Sequence, residues 1–402
     1  MRTRRLSAGT RGARTAAAAA LTALALTALA LTAPTASASA DDAAAARPGH
    51  AAAQRIMDRA VADGGVPGIT AELRDARDPR AHWTGTAGVA DTTTGRERRP
   101  QDRFRIGSTT KTFTATLLLQ LVAEHRLTLD DPVTTWIPEV PAGVTVRRLL
   151  DHTSGIPDYV TDPVIVSRSV GLPFLEHRFD GYRPEELVRI ALSHPPLFAP
   201  GTSWSYSNTN YVLAGMIIER VTGKPLADVV AERISRPLGL TATYLPRADD
   251  PRIRGPHGRH YSKLMLTTPD AGVHDVTELN PSWGWAAGGI VSTTGDLDRF
   301  FGALLGGRLL PPAQQEAMLT MLTTRNWIPG TAYGLGVSSI RLACGTTVWG
   351  MGGAINGSWT YTYGTRDGRR MLSVNVNGDW NDPIATFTDL LQAEFCAPAP
   401  TP

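Results

Sequence analysis

The sequence predicts an α/β (α+β) fold: one antiparallel sheet built from two distant segments, flanked by helices, with an all-helical region inserted between them. Three observations predict it. Strand-like runs occur near both ends of the chain, at residues 68–73 and 82–89 and again within residues 333–376. Between them, from about residue 112 to 286, apolar residues recur mostly at helical spacing and are broken by Pro- and Gly-rich loops. Helical patterns at residues 50–62 and 383–395 flank the strand segments.

Taken in order, residues 50–62 carry helical periodicity that stops at Gly64-Gly65, as helices commonly do at glycine. The strands 68–73 and 82–89 follow, then a turn at Thr92-Thr93-Thr94-Gly95. A strand-like run, residues 102–107, opens into an apolar helix at residues 112–121. Further helices are expected at residues 145–152, 184–194, 208–222, 225–238, 296–305 and 313–322. Strands return at residues 333–342, 346–350, 358–364 and 371–376, the last two joined as a hairpin across Arg366-Asp367-Gly368. An amphipathic helix, residues 383–395, ends the pattern. No internal repeat or low-complexity tract interrupts residues 41–402, which read as one domain with a helical subdomain at about 112–286.

Residues 1–40 read as an export signal. Arg2, Arg4, Arg5, Arg11 and Arg14 precede an Ala/Leu run, and Ala36-Ser37-Ala38-Ser39-Ala40 offers small residues for cleavage near Ala40. The whole chain has 40 basic and 37 acidic residues; the leader holds five arginines and no acid, leaving 35 against 37, a net of −2. No basic cluster interleaved with aromatics remains, which argues against nucleic acid as a partner. No later apolar run is long enough to span a bilayer, so a secreted monomer is expected. The two cysteines, Cys344 and Cys396, suggest a disulfide in an exported chain.

The chemistry concentrates at Ser108-Thr109-Thr110-Lys111, where strand gives way to helix. Lys111 is one of only three lysines. Positions three apart share a helix face, so the serine hydroxyl and the lysine amine can meet. Serine needs a neighbouring base to become a nucleophile, and an ammonium desolvated in a cleft can lose its proton and serve. The N–H of Ser108 at a helix start also points toward any oxyanion formed there. A second group, Tyr206-Ser207-Asn208, opens another helix. A tyrosine hydroxyl can relay a proton, and an asparagine amide can hold both a lysine and a substrate carbonyl. His257-x-x-His260 has no carboxylate or cysteine at ligand spacing, so neither a metal nor a cofactor is expected.

With both motifs present, the chain resembles the serine β-lactamase and DD-peptidase superfamily, most of all its secreted D-alanyl-D-alanine carboxypeptidase and class C branch. The resemblance runs from about Arg55 to Cys396. It includes Leu150-Asp151-His152-Thr153-Ser154-Gly155, Pro200-Gly201-Thr202-Ser203-Trp204, the stretch Gly288-Gly289-Ile290-Val291-Ser292-Thr293-Thr294-Gly295-Asp296-Leu297 and Tyr333-Gly334-Leu335-Gly336. It implies a β-lactamase/transpeptidase-like fold and acyl transfer through a covalent intermediate on Ser108. Lys111 and Tyr206 would share the proton shuttle. Asn208 would orient the substrate amide, and Trp283 would form a cleft wall. Gly353 and Ala354 would border the substrate, with the Ala354 N–H completing an oxyanion hole beside that of Ser108. His152 would be structural, and Cys344–Cys396 would match a disulfide of the secreted carboxypeptidases. The implied substrates are small peptides, amides, esters or β-lactams, including peptidoglycan stem peptides.

The third family motif departs from the pattern. Lysine or histidine, then threonine or serine, then glycine are expected beside the serine, but the matching run is Gly350-Met351-Gly352-Gly353-Ala354. An arginine that grips a terminal carboxylate aligns with Ser338, and Arg341 falls on the opposite face by strand alternation. An oxyanion hole needs only N–H groups and survives these changes. Recognition of a free carboxylate is expected to suffer. The competing expectation is a catalytically impaired penicillin- or peptidoglycan-binding protein.

Overall fold

The structure is a computed structural model that describes residues 50–78, 81–268, 270–380 and 383–396. The leader expected at residues 1–40 lies outside the described residues. The N-terminal part contributes β1 (Gly68–Asp75), β2 (Trp83–Asp91) and the short β3 (Arg96–Glu97) to the main sheet. β4 (Phe104–Arg105) pairs with β7 (Val291–Ser292), and β5 (Tyr261–Ser262) pairs with β6 (His274–Asp275). The C-terminal part contributes β8 (Leu322–Thr323), β9 (Thr331–Tyr333), β10 (Ser338–Arg341), β11 (Thr347–Ile355), β12 (Ser358–Gly364) and β13 (Arg370–Val376). Among the described residues nine strands form one antiparallel sheet in the order β3-β2-β1-β13-β12-β11-β10-β9-β8.

The distant segments meet at β1 and β13, where Ile69 lies opposite Val376 and Leu73 opposite Leu372. Ile69, Ala71 and Leu73 are fully buried on one face, as period-two alternation requires. That face packs against Ala53 and Met57 of the helix Ala51–Ala62 and against Phe387, Leu390 and Leu391 of the helix Pro383–Phe395. Each large side chain so buried contributes about 1.5–3 kcal/mol. The second core holds the long helices Thr110–Ala123 and Asn208–Thr222. The first of these is buried almost all round, which suits a sequence without a charged face. Its threonines satisfy their hydroxyls on carbonyls: Thr112 on Gly336 at 2.6 Å, Thr114 on Ala286 at 2.8 Å and Thr116 on Thr112 at 2.7 Å.

The structure corrects two strand expectations. Residues 333–342 are not one strand; the chain leaves β9, crosses Gly336 at φ +77° and returns as β10. A β-carbon on Gly336 would sit 2.5 Å from that of Ala115, so this turn lies tightly on the central helix. β11 runs through Ile355 rather than ending at residue 350, because pairing with β12 carries Gly350, Gly352 and Gly353 that β propensity alone would reject. The helices Pro163–Ser169 and Pro173–His177 escape the periodicity analysis; both begin at a proline, and Asp162 caps the first.

The Cys344–Cys396 disulfide is present, with Cα atoms 5.8 Å apart and a sequence separation of 52. It staples the end of the helix Pro383–Phe395 to the turn between β10 and β11. Cys344→Ser is expected to cost about 2–4 kcal/mol of stability, as native disulfides of such loop length do. Urea unfolding with and without reductant checks it; curves that coincide would refute a stabilising bridge.

Candidate active site

The serine is placed by glycines. Gly107 has φ +51°, and a β-carbon there would meet the Ala354 backbone at 2.5–2.7 Å. From the other side, a β-carbon on Gly353 would lie 2.1 Å from the Ile106 carbonyl and 2.6 Å from the amide nitrogens of Ser108 and Thr109. Only glycine at both positions lets the turn Gly107–Thr109 rest directly on β11. β10 pairs with β11 no further than Gly350, so the segment from Met351 onward is free of β10 where the serine turn approaches.

Ser108 and Lys111 are brought together as their spacing predicts. Lys111 is wholly buried, and its Nζ donates to Ser108 Oγ at 3.0 Å, Asn208 Oδ1 at 2.7 Å and the Ala287 carbonyl at 2.8 Å. Burial pushes the ammonium down to about 7, with the Asp158 carboxylate opposing the shift. When neutral, the amine has two N–H bonds and one lone pair. The amide oxygen and the carbonyl can only accept, so they take both N–H bonds and leave the lone pair for the Ser108 hydroxyl proton. That is the geometry of a general base.

Tyr206 stands beside the same serine, which draws the pKa of its phenol down while the rest of its surroundings push it up. Burial first, then Tyr333, pushes this phenol well above its ordinary range, so it stays protonated. Lys111 Nζ sits 4.8 Å from the centre of its ring. The Tyr206 and Trp327 rings stack at 5.8 Å with an interplanar angle of 16°. Trp327, in the loop before β9, was not singled out by the sequence patterns because nothing local marks a lone tryptophan as a neighbour of a residue so far away.

Asn208 begins its helix and spends both ends of its amide, the oxygen on Lys111 and Nδ2 on Asp158 Oδ2 at 2.8 Å. Asp158 is the residue that sequence analysis missed. It is nearly buried, and burial raises its pKa. The available signal was an acid held between Pro157 and Tyr159, three residues beyond the quoted Gly155. His152 is fully buried at φ +64°, and its Nδ1 faces the Ser207 N–H and Asn210 Nδ2, each at 3.2 Å. Desolvation keeps the ring neutral, which suits a brace for the Tyr206–Asn208 segment. Trp283 is half-buried, packs near Ile355 at the end of β11, and accepts a bond from Tyr159 at its carbonyl. Among the described residues no group of three His, Cys, Asp or Glu could hold a metal ion.

A family model described as Beta-lactamase matches residues 53–396. The chain belongs to the beta-lactamase family. A D-stereospecific amidohydrolase from Streptomyces sp. is 47% identical, with a TM-score of 0.79 over 88% of this chain and 100% of that one. The D-amino acid amidase from Ochrobactrum anthropi SV3, in complex with L-phenylalanine amide, is 30% identical, with a TM-score of 0.74 over 85% of this chain and 97% of that one. The curated esterase EstB of Burkholderia gladioli is 34% identical over 50% of this chain and 53% of its own length. The chain spans about half the length of the first curated relatives it matches, 53% in each case.

Within this beta-lactamase framework the third motif is rebuilt rather than merely stripped. Met351 is buried in the core, and its sulfur lies 3.8 Å from Ser338 Oγ. Ser338 is also fully buried and bonds the Tyr363 hydroxyl at 2.7 Å and the Gly350 carbonyl at 3.2 Å. A β-carbon on Gly352 would fall 2.7 Å from the Tyr361 ring, which itself stacks on Phe387 at 4.4 Å. The sequence reading treats these positions as places left by a cation, a hydroxyl and a guanidinium facing a carboxylate. Met351 and Ser338 are instead closed off by local packing, and at the half-buried Gly352 the Tyr361 ring stands where a side chain would begin.

Proposed function

We propose that this chain is an exported serine hydrolase that acylates Ser108 and acts on amides or esters of D-amino acids in preference to free-acid peptides. The buried Lys111, its lone pair directed to the Ser108 hydroxyl, carries the proposal. In the first step the Ser108 proton moves to Lys111 Nζ as Oγ bonds to the carbonyl carbon. The resulting oxyanion is held by the N–H groups of Ser108 and Ala354. Tyr206, a protonated phenol beside the serine, then hands a proton to the departing nitrogen or oxygen as its bond to carbon breaks, and recovers one from Lys111. Water repeats the sequence to free the acid. The inserted helical region, about residues 112–286, works as the subdomain that carries Tyr206 and Asn208 to Ser108. The disulfide and the leader pattern support export.

The D-amino-acid part of the reading rests on likeness to the two amide hydrolases, and the low weight on free acids rests on buried Met351 and Ser338. A lost charge-assisted hydrogen bond is worth about 1.5–3 kcal/mol, or about 10–100-fold in affinity. D-Phenylalanine amide and methyl ester are therefore expected to exceed a D-alanyl-D-alanine free-acid peptide in kcat/KM by about 10²-fold or more. A preference for the free acid would overturn the assignment. A stable Ser108 adduct with no turnover of any substrate would favour the penicillin-binding alternative.

Asp158 acts in this scheme as a positioning residue. Asp158→Ala leaves the Asn208 amide without its acceptor and is expected to lower kcat by about 10–100-fold, as loss of an orienting partner does. Because the carboxylate opposes the fall in the Lys111 pKa, its removal also moves the acid limb of the rate profile to lower pH. A variant that loses activity with no movement of that limb would mark Asp158 as purely structural.

A further inference from the structure

In the proposed acylation Tyr206 hands its proton to the departing group, which fixes where that group lies. The departing atom must come within about 2.6–3.2 Å of the phenol oxygen, and whatever is bonded beyond it leaves past the Tyr206 ring. Most of the space around that ring is closed. Lys111, His152 and Tyr333 are fully buried, Trp204 is nearly so, and on the strand side Met351 and Ser338 are sealed. Of the aromatic rings clustered there, Tyr206 and Trp327 are half-buried and keep a surface toward solvent.

These two rings make one apolar ledge. They lie 16° from parallel with centroids 5.8 Å apart, the spacing of an offset pair, so their exposed parts adjoin. Trp327 is also held by the buried rings, 5.6 Å from Trp204 and, at 72°, 5.5 Å from Tyr333. Its loop, residues 324–330 between β8 and β9, is braced across its base. Thr324 Oγ1 donates to the Thr331 carbonyl at 3.0 Å, and Thr331 Oγ1 donates to the Ile328 carbonyl at 2.5 Å. Met351 and Ser338 bring no charge to this side, and the one charged residue of the loop is the exposed Arg325.

Resting on the hydrolase reading, we propose that Trp327 and the Tyr206 ring form the leaving-group subsite, and that it selects esters and amides whose departing alcohol or amine is uncharged and carries an aromatic ring. Ser108 Oγ bonds to the carbonyl carbon, the carbon–oxygen or carbon–nitrogen bond breaks, and the departing atom takes the Tyr206 proton while its ring lies against Trp327. Paired aromatic rings attract beyond the apolar area they cover, which an alkyl group of the same position does not match. Trp327 is thus a specificity-determining residue, whereas Tyr206 serves both the proton transfer and the ledge.

The benzyl and methyl esters of D-phenylalanine test it, because they share an acyl group and their alcohols differ little in acidity. In the wild type the benzyl ester is expected to lead in kcat/KM by about 10-fold or more. In Trp327→Ala that ratio should fall to within about 3-fold of one, and Trp327→Phe should keep most of it. Disturbing Tyr206 would slow both esters alike, so a ratio unchanged in Trp327→Ala would overturn the proposal. A wild type that hydrolyses the methyl ester with no benzyl preference would overturn it too, and that measurement stands even if the alanine variant fails to fold. Hydrolysis of neither ester would overturn the hydrolase reading and this proposal together. D-Phenylalanine benzylamide should likewise exceed D-phenylalanyl-D-phenylalanine, whose departing amine carries a carboxylate beside the same ring, by about 10-fold or more. Equal rates for that pair would assign the carboxylate to Arg325 and overturn the selection of uncharged leaving groups.

Discussion

Ser108→Ala is expected to lower kcat/KM toward every substrate by about 10⁴-fold or more, since removing a nucleophile leaves only oxyanion and binding effects. The turn Gly107–Thr109 and the facing Gly353 stay in place, because they meet backbone against backbone and the deleted hydroxyl bonds to the Lys111 amine rather than to either of them. Fold and substrate affinity should therefore persist while turnover disappears. Mass spectrometry after a fluorophosphonate or a penicillin should find the adduct on the peptide containing Ser108 in the wild type and none in the variant. Hydrolysis unchanged in Ser108→Ala, or an adduct elsewhere, would sink the mechanism.

Lys111→Ala should lower the acylation rate by about 10²–10⁴-fold, the range for a lost general base. The wild type should also show an acid limb in kcat/KM near pH 7. Burial pulls Lys111 from its ordinary value of 10.5 to about 7, and only the neutral amine accepts the serine proton. Activity is thus present above that pH and falls as Nζ is protonated below it. The same shift has a stability consequence. Between about 7 and 10.5 the unfolded lysine holds a proton that the folded one has released, so the Lys111 contribution to stability rises with pH across that window. Lys111→Ala should flatten the slope. A wild-type profile with no acid limb between pH 5 and 9, within the range where burial could move it, would mean that another group takes the proton.

The fold was legible where a local repeat decides it. The helices Asn208–Thr222 and Pro383–Phe395 follow directly from periodicity, and the hairpin of β12 and β13 from the Asp367-Gly368 turn. Residues 333–342 misled because alternation continues across Gly334 and Gly336, while the return at Gly336 depends on contact with Ala115 more than two hundred residues earlier. The three glycines of β11 argue against a strand locally and are required by what lies against them.

The sequence by itself determined that Ser108 and Lys111 share one face, because helical geometry sets that spacing without help from the rest of the chain. It also determined the charge balance of residues 41–402 and the two cysteines available to pair. Only the tertiary structure decided what the lysine can do. Its burial, its bond to Asn208 97 residues away and the Asp158 charge behind that amide come from separate segments, and a desolvation energy exists only once they enclose it. The closure of Met351, Gly352 and Ser338 has the same origin. Whether a position on a strand opens to substrate or is sealed depends on Tyr361 and Tyr363 on the next strand and on Phe387 beneath them, not on its own residue type.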